Sequence, residues 1–206
     1  MALVLFFLAT AMSFLGSLQP GPINMLVIQT AFHKKFKGAY LIGLGGCMAE
    51  LIYSSLAFAT SDLLIERPAI KTYSGYALII IFLYLAFNSF QMARHPKAPK
   101  TIEDKKGVHF MKGWLIGMLN PQLLTYWLLI IIYFNNVGWM VNPSLLGKAC
   151  FVLGTAAGAM LLHVLTISLV KRYNTLPVEK TTPVINYGMV VIFLGLALHQ
   201  AYQLFA

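Results

Sequence analysis

Charge is scarce in this chain. Asp, Glu, Lys and Arg make up 10% of its 206 residues, and only six residues are acidic. A soluble domain usually carries roughly 25% charged residues, so a soluble enzyme and a disordered protein are excluded. Cysteine is scarce too. Cys47 and Cys150 lie far apart in different apolar runs, with no C-x-x-C and no zinc-type spacing. That excludes a disulfide-stapled fold, and both thiols read as small packing residues. There is no phosphate-binding glycine loop, no cluster of metal-ligand types and no Ser/His/Asp constellation. The chain is therefore expected to have no catalytic residue, no metal site and no cofactor.

Apolar residues are abundant instead, at 59%, and mean hydropathy is +0.75. A bilayer-spanning helix needs roughly 20 mainly apolar residues. Six such runs occur, at about 3–29, 38–60, 73–92, 110–134, 145–170 and 184–204. They use most of the chain and predict an all-α integral membrane protein, one transmembrane unit over 1–206. The first run lacks a basic stretch before it and resumes after Pro22, so it reads as a retained span and not a signal peptide.

The net charge is +9. In a soluble protein that balance would suggest nucleic acid. Here the basic residues sit between apolar runs, so no nucleic-acid partner is expected. They report topology and contact with anionic lipid. Lys34, Lys35 and Lys37 follow span 1; Arg94, Lys97, Lys100, Lys105, Lys106 and Lys112 follow span 3; Lys171, Arg172 and Lys180 follow span 5. The other side has Arg67, Lys71 and Lys148. Cytoplasmic loops carry the excess of Lys and Arg, which places both termini outside. The polar stretch His95–His109, with two prolines, reads as a cytoplasmic linker.

One short pattern occurs twice. Gly16-Ser17-Leu18-Gln19-Pro20 and Gly117-Met118-Leu119-Asn120-Pro121 both read G-x-L-amide-P, 101 residues apart. Each opens a set of three spans. Three is odd, so the second set must run upside down relative to the first. The expectation is two inverted repeats, about 1–94 and about 110–206, with spans 1 and 4 broken at matching depth and a substrate site between them. Proline lacks an N–H and displaces the carbonyl four residues back. Pro20, Pro22 and Pro121 thus free the carbonyls of Gly16, Leu18 and Gly117. Freed backbone in hydrocarbon costs several kcal/mol per group, so such breaks belong beside protein or a wet cavity. The amides of Gln19 and Asn120 are suited to satisfy them. A helix restarting near Pro22 would turn the positive end of its dipole toward an anionic group, with Asn24 in its first turn.

At these residues the chain resembles the LysE/RhtB family of bacterial amino-acid exporters. The similarity runs through Gln19-Pro20-Gly21-Pro22, Gly38 and Gly43-Leu44-Gly45-Gly46. It continues through Lys112-Gly113-Trp114 and Leu119-Asn120-Pro121, with weaker matches at Tyr84-Leu85, Arg94, Gly188 and Gly195. Gln122 stands where the family often has Lys. Leu161 stands where many members carry an acidic residue. The resemblance implies six spans and efflux of amino acids or related small metabolites driven by the proton-motive force, with protons as the coupling ion.

Glu50 is the one acidic residue within a predicted span. It lies twelve residues after Gly38, about mid-bilayer at roughly 1.5 Å per residue. A charge there costs at least about 2.5–3.5 kcal/mol, and such residues usually mark a substrate or proton path. Glu50 is thus the candidate proton carrier or ammonium partner. Its alternative is a neutral carboxyl bonded to a neighbouring helix. His163 in span 5 is a second ion-coupling candidate, although a lone histidine more often packs. Tyr53, one turn after Glu50, could orient it. The expected substrate contacts are Gln19, Pro20, Gly21, Pro22, Asn24, Asn120, Pro121 and Gln122, with transport by rocking of one repeat against the other. Two other classes stay open at this level: an inorganic-ion transporter, and a membrane-embedded redox or enzymatic protein. Oligomeric state is open as well, a homodimer included.

Overall fold

The computed structural model describes residues 1–18, 21–65, 68–94, 108–120, 122–173 and 178–205. Among them the regular structure is entirely helical, with eight α-helices and no strand. They are α1 (Ala2–Ser17), α2 (Pro22–Phe32), α3 (Phe36–Ile65), α4 (Pro68–Arg94), α5 (His109–Met118), α6 (Gln122–Asn136), α7 (Leu145–Tyr173) and α8 (Val178–Phe205).

The apolar runs and the helices coincide, but the helices overrun most of the runs. Backbone hydrogen bonding continues past the hydrocarbon-length stretch into the polar flanks, which is why α3 extends to 30 residues. Pro183 is carried inside α8. His109 begins α5 and so does not belong to the linker; residues 95–107 lie outside the described residues. By length and composition α3 and α7 can each cross a membrane alone. The pairs α1–α2 and α5–α6 qualify as bent spans, turning by 74° and 61°. Both bends fall at the two G-x-L-amide-P motifs.

The lipid-type surface is visible on α3. Leu44, Met48, Ile52 and Leu56 recur every four residues and are exposed. Ala49, Glu50, Ser54 and Ala57 face inward. Large exposed apolar stripes of this kind are unfavourable in water and natural in hydrocarbon. The main core gathers Phe58, Phe82, Trp127, Phe134 and Phe151 with their neighbours. A second cluster joins α2, α3 and α7 through Leu26, Val27, Ala39, Ile42 and Ile167.

The closest helix contacts are made by glycine against backbone. On α7, a Cβ at Gly154 would strike the Phe6 carbonyl, and one at Gly158 the Thr10 carbonyl and Phe14 nitrogen of α1. On α3, a Cβ at Gly45 would strike the Phe110 carbonyl and Trp114 nitrogen of α5. The two contacts have the same form: one glycine against a carbonyl and the nitrogen four residues on. Matching Gly45 to Gly158 gives Glu50 and His163 the same register on their own helices, each five residues later. Between these pairs α3 crosses α7, where Ser54 and Thr155 hydroxyls lie 3.2 Å apart.

This pairing bears on the expected rocking motion. α1 is locked to α7, and α3 to α5, so each tight pair takes one helix from each half of the chain. Swinging one intact half against the other would separate these closely packed backbones.

Basic residues collect at one end. Lys171 Nζ lies 5.9 Å from the Phe36 ring centre, and Gly38 sits under the His109 ring. The end of α7 and the starts of α3 and α5 thus meet there. Lys148 is apart from them, over Phe58.

Candidate functional site

At the first break α1 stops at Ser17 and α2 restarts at Pro22. Proline at the first helical position loses nothing, because that N–H has no intrahelical partner anyway. Gly21 precedes it in extended conformation (φ −96°, ψ 171°) without a side-chain cap, and its carbonyl accepts the Met25 N–H at 3.0 Å. The amide of Asn24 reaches back and donates to the Ser17 carbonyl. Asn24 thereby closes the end of α1.

At the second break the carbonyl of Gly117 accepts the backbone N–H of Asn120 at 3.1 Å. The main-chain N–H of Asn120 thus reaches the carbonyl that its side chain was expected to satisfy. Leu123 N–H then bonds the Asn120 carbonyl at 3.3 Å, opening α6. Tyr53 of α3 donates its hydroxyl to the Met118 carbonyl at 2.5 Å. Tyr53 thus serves the end of α5 and does not orient Glu50 through its hydroxyl. Gln19, Pro20 and Pro121 lie outside the described residues, as does the Gln122 side chain.

The two breaks converge on one stretch of α3. The Ile23 side chain, in the first turn of α2, packs on Gly46. Gly117, in the last turn of α5, packs on Ala49 and Gly46 and touches Ile23 as well. The next residue after Ala49 is Glu50. Its side chain is buried, 8% exposed, and accepts a hydrogen bond from Trp127 Nε1 at 2.5 Å. Trp127 is fully buried in α6, against Phe151. Its neighbour Tyr126 donates to the Met12 carbonyl of α1 at 2.7 Å and lays its ring over Gly16 of the first motif.

His163 is buried too, but its ring packs on Gly43. That is seven residues before Glu50 on α3, about 10 Å along the axis. The two ion-coupling candidates therefore stand on different turns. No group of three His, Cys, Asp or Glu side chains among the described residues could hold a metal ion. Trp127 and Tyr126 are the site residues that sequence reading missed. The available signal was an indole N–H deep in an apolar run, which needs an acceptor when buried; Glu50 is the acidic residue within a predicted span.

The arrangement combines a buried carboxyl, a fixed N–H donor to it, and an uncapped helix N-terminus on the adjoining turn of α3. Such a set can hold a proton and can bind the two ends of a small zwitterion.

The sequence profile described as LysE type translocator matches residues 14–204. A threonine efflux protein of Escherichia coli (strain K12) is 28% identical over 148 residues, covering 66% of this chain and 70% of that protein. A threonine efflux protein of Salmonella typhi is 27% identical over the same length and coverage. No solved structure matches the chain.

Proposed function

Since the chain belongs to the LysE type translocator family, we propose that it exports amino acids or related small metabolites across the cytoplasmic membrane by proton antiport. Amino-acid export accords with the family and with relatives named for threonine efflux. Proton antiport is the finer reading. It rests on one observation: the buried carboxyl of Glu50 stands on α3 beside the meeting point of both helix breaks.

In this reading six spans form two inverted repeats, α1–α4 and α5–α8, with the basic end in the cytoplasm and both termini outside. The two bent pairs, the shared motif and the matched Gly45 and Gly158 contacts support it. The substrate carboxylate meets the N-terminus of α2 at Gly21, Pro22 and Ile23. Its ammonium meets Glu50 or a carbonyl at a break, with Gln19, Asn120 and Gln122 as further candidate contacts. Asn24 supports the break through Ser17. Proton and ammonium compete for Glu50, which is the elementary requirement for exchange. The moving elements are the half-helices α2 and α6, which meet α3 through the side chains of Ile23 and Trp127. His163 is a second coupling candidate at the matching position of the other repeat.

The test is efflux of labelled amino acids from cells expressing the chain, with the proton gradient intact or collapsed. Gradient-dependent release of one or a few amino acids is expected. Glu50→Gln is expected to bring that release down to the level seen with the gradient collapsed. Undiminished export by Glu50→Gln would remove Glu50 from the coupling role.

A further inference from the structure

Adjacent residues of α6 hold two different helices. Trp127 donates to Glu50 on α3, and Tyr126 donates to Met12 on α1. Their rings meet edge to face with centres 5.0 Å apart. The Tyr126 ring also covers Gly16, the first residue of the first motif. A hydrogen bond to an ionised acceptor is roughly twice as strong as one to a neutral acceptor. The hold of α6 on α3 therefore changes when Glu50 gains or loses its proton. A shift of Trp127 carries Tyr126 with it, because both belong to one turn of helix. It thereby reaches the segment of α1 that ends at the first break.

We infer that Trp127 is a positioning residue which reads the protonation state of Glu50 and, with Tyr126, passes it to the end of α1. The inference rests on the assignment of Glu50 as proton carrier. The surroundings leave few competing groups. Cys47 on α3 and Tyr126 on α6 are within electrostatic reach of Glu50. His163 of α7 packs on Gly43, and Lys148 of α7 lies over Phe58. His109 of α5 packs on Gly38, and Lys112 follows it at the start of that helix. α1 and α2 contain no titratable side chain, and Arg94 of α4 lies over Phe90.

The chain has three tryptophans. With Trp114→Phe and Trp139→Phe, the remaining indole emission comes from Trp127. In the purified protein that emission is expected to change with pH, and Glu50→Gln is expected to abolish the change. The same comparison in the chain with all three tryptophans, with and without Glu50→Gln, gives a second readout should the double variant fold poorly. Tyr126→Phe should keep the emission change while cutting gradient-driven efflux by roughly five- to tenfold, the loss of one buried hydrogen bond. With Glu50 intact, Trp127→Phe alone should likewise cut gradient-driven efflux by roughly five- to tenfold. Emission independent of pH with Glu50 present would overturn the inference, as would undiminished efflux by Trp127→Phe. Normal export by Glu50→Gln is a separate outcome. It would refute the coupling assignment and the inference's role in transport together, while a pH-dependent Trp127 signal would still establish the contact.

Discussion

The two helix breaks share a motif but are closed in different ways. At the first, Asn24 of α2 donates to Ser17 at the end of α1, so the break is closed by its own downstream half. At the second, the donor to Met118 is Tyr53, from a helix more than sixty residues earlier in the chain. α6 is tied to the same helix through Glu50 and Trp127. The first break is thus a local joint, whereas the second is referred to α3 on both sides. In the proposed scheme, a change at Glu50 reaches the second break directly and the first through Tyr126. One repeated motif has come to serve as a local joint at one site and a coupled joint at the other.

Substitutions can test this difference. The largest effect is expected at the motif glycines, where the comparison is internal. A Cβ at Gly117 meets the Ala49 Cβ at 2.6 Å, a contact no side-chain rotation relieves. Gly117→Ala should destabilise by roughly 2–3 kcal/mol. At Gly16 the same atom meets the outer ring of Tyr126 at 2.8 Å, which can swing aside. Gly16→Ala should cost less than about 1 kcal/mol, because alanine's better helix propensity offsets part of the loss. Melting of the purified variants in detergent would rank them, and equal losses would remove the distinction between the sites. Next in size is Tyr53→Phe, which leaves the Met118 carbonyl without its hydroxyl donor. A cost of roughly 1–2 kcal/mol is expected, with a matching fall in efflux at unchanged expression. Smaller than the Tyr53 effect is Asn24→Ala, at about 1 kcal/mol, because Asn24 and Ser17 are only partly buried. A larger loss at Asn24 than at Tyr53 would reverse the assignment of local and coupled joints.

The helices were legible in the sequence because hydrocarbon length and proline chemistry act locally. Pro22 opens α2, and Gly117 lies one residue from the end of α5, as the motifs imply. Burial of Glu50 was legible as well, from its depth in an apolar run. The partners were not. Tyr53 and Glu50 lie a turn apart on α3, so local spacing suggested that they serve each other. The fold instead turns the hydroxyl to α5 and the carboxyl to α6. Those targets depend on which helices are neighbours, and that is set by backbone contact at Gly45, Gly113, Gly154 and Gly158. Small residues announce that a close approach exists without naming the helix that makes it. Trp127 went unread for the same reason: its partner lies 77 residues away.

The cross-half glycine contacts also have a consequence for how the chain is made. α3 is inserted well before α5 exists, and the groove at Gly45 is filled only when Phe110 to Trp114 arrive. α1 waits longer still. Thr10 rests on Gly158, 148 residues later, which is roughly 7–30 s of synthesis. During that interval the early helices sit in the bilayer with lipid in place of their final neighbours. The N-terminal half is then a set of inserted helices and not a folded unit. Expressed alone, each half should be inserted yet short-lived. Expressed together from separate messages, the halves should rescue one another.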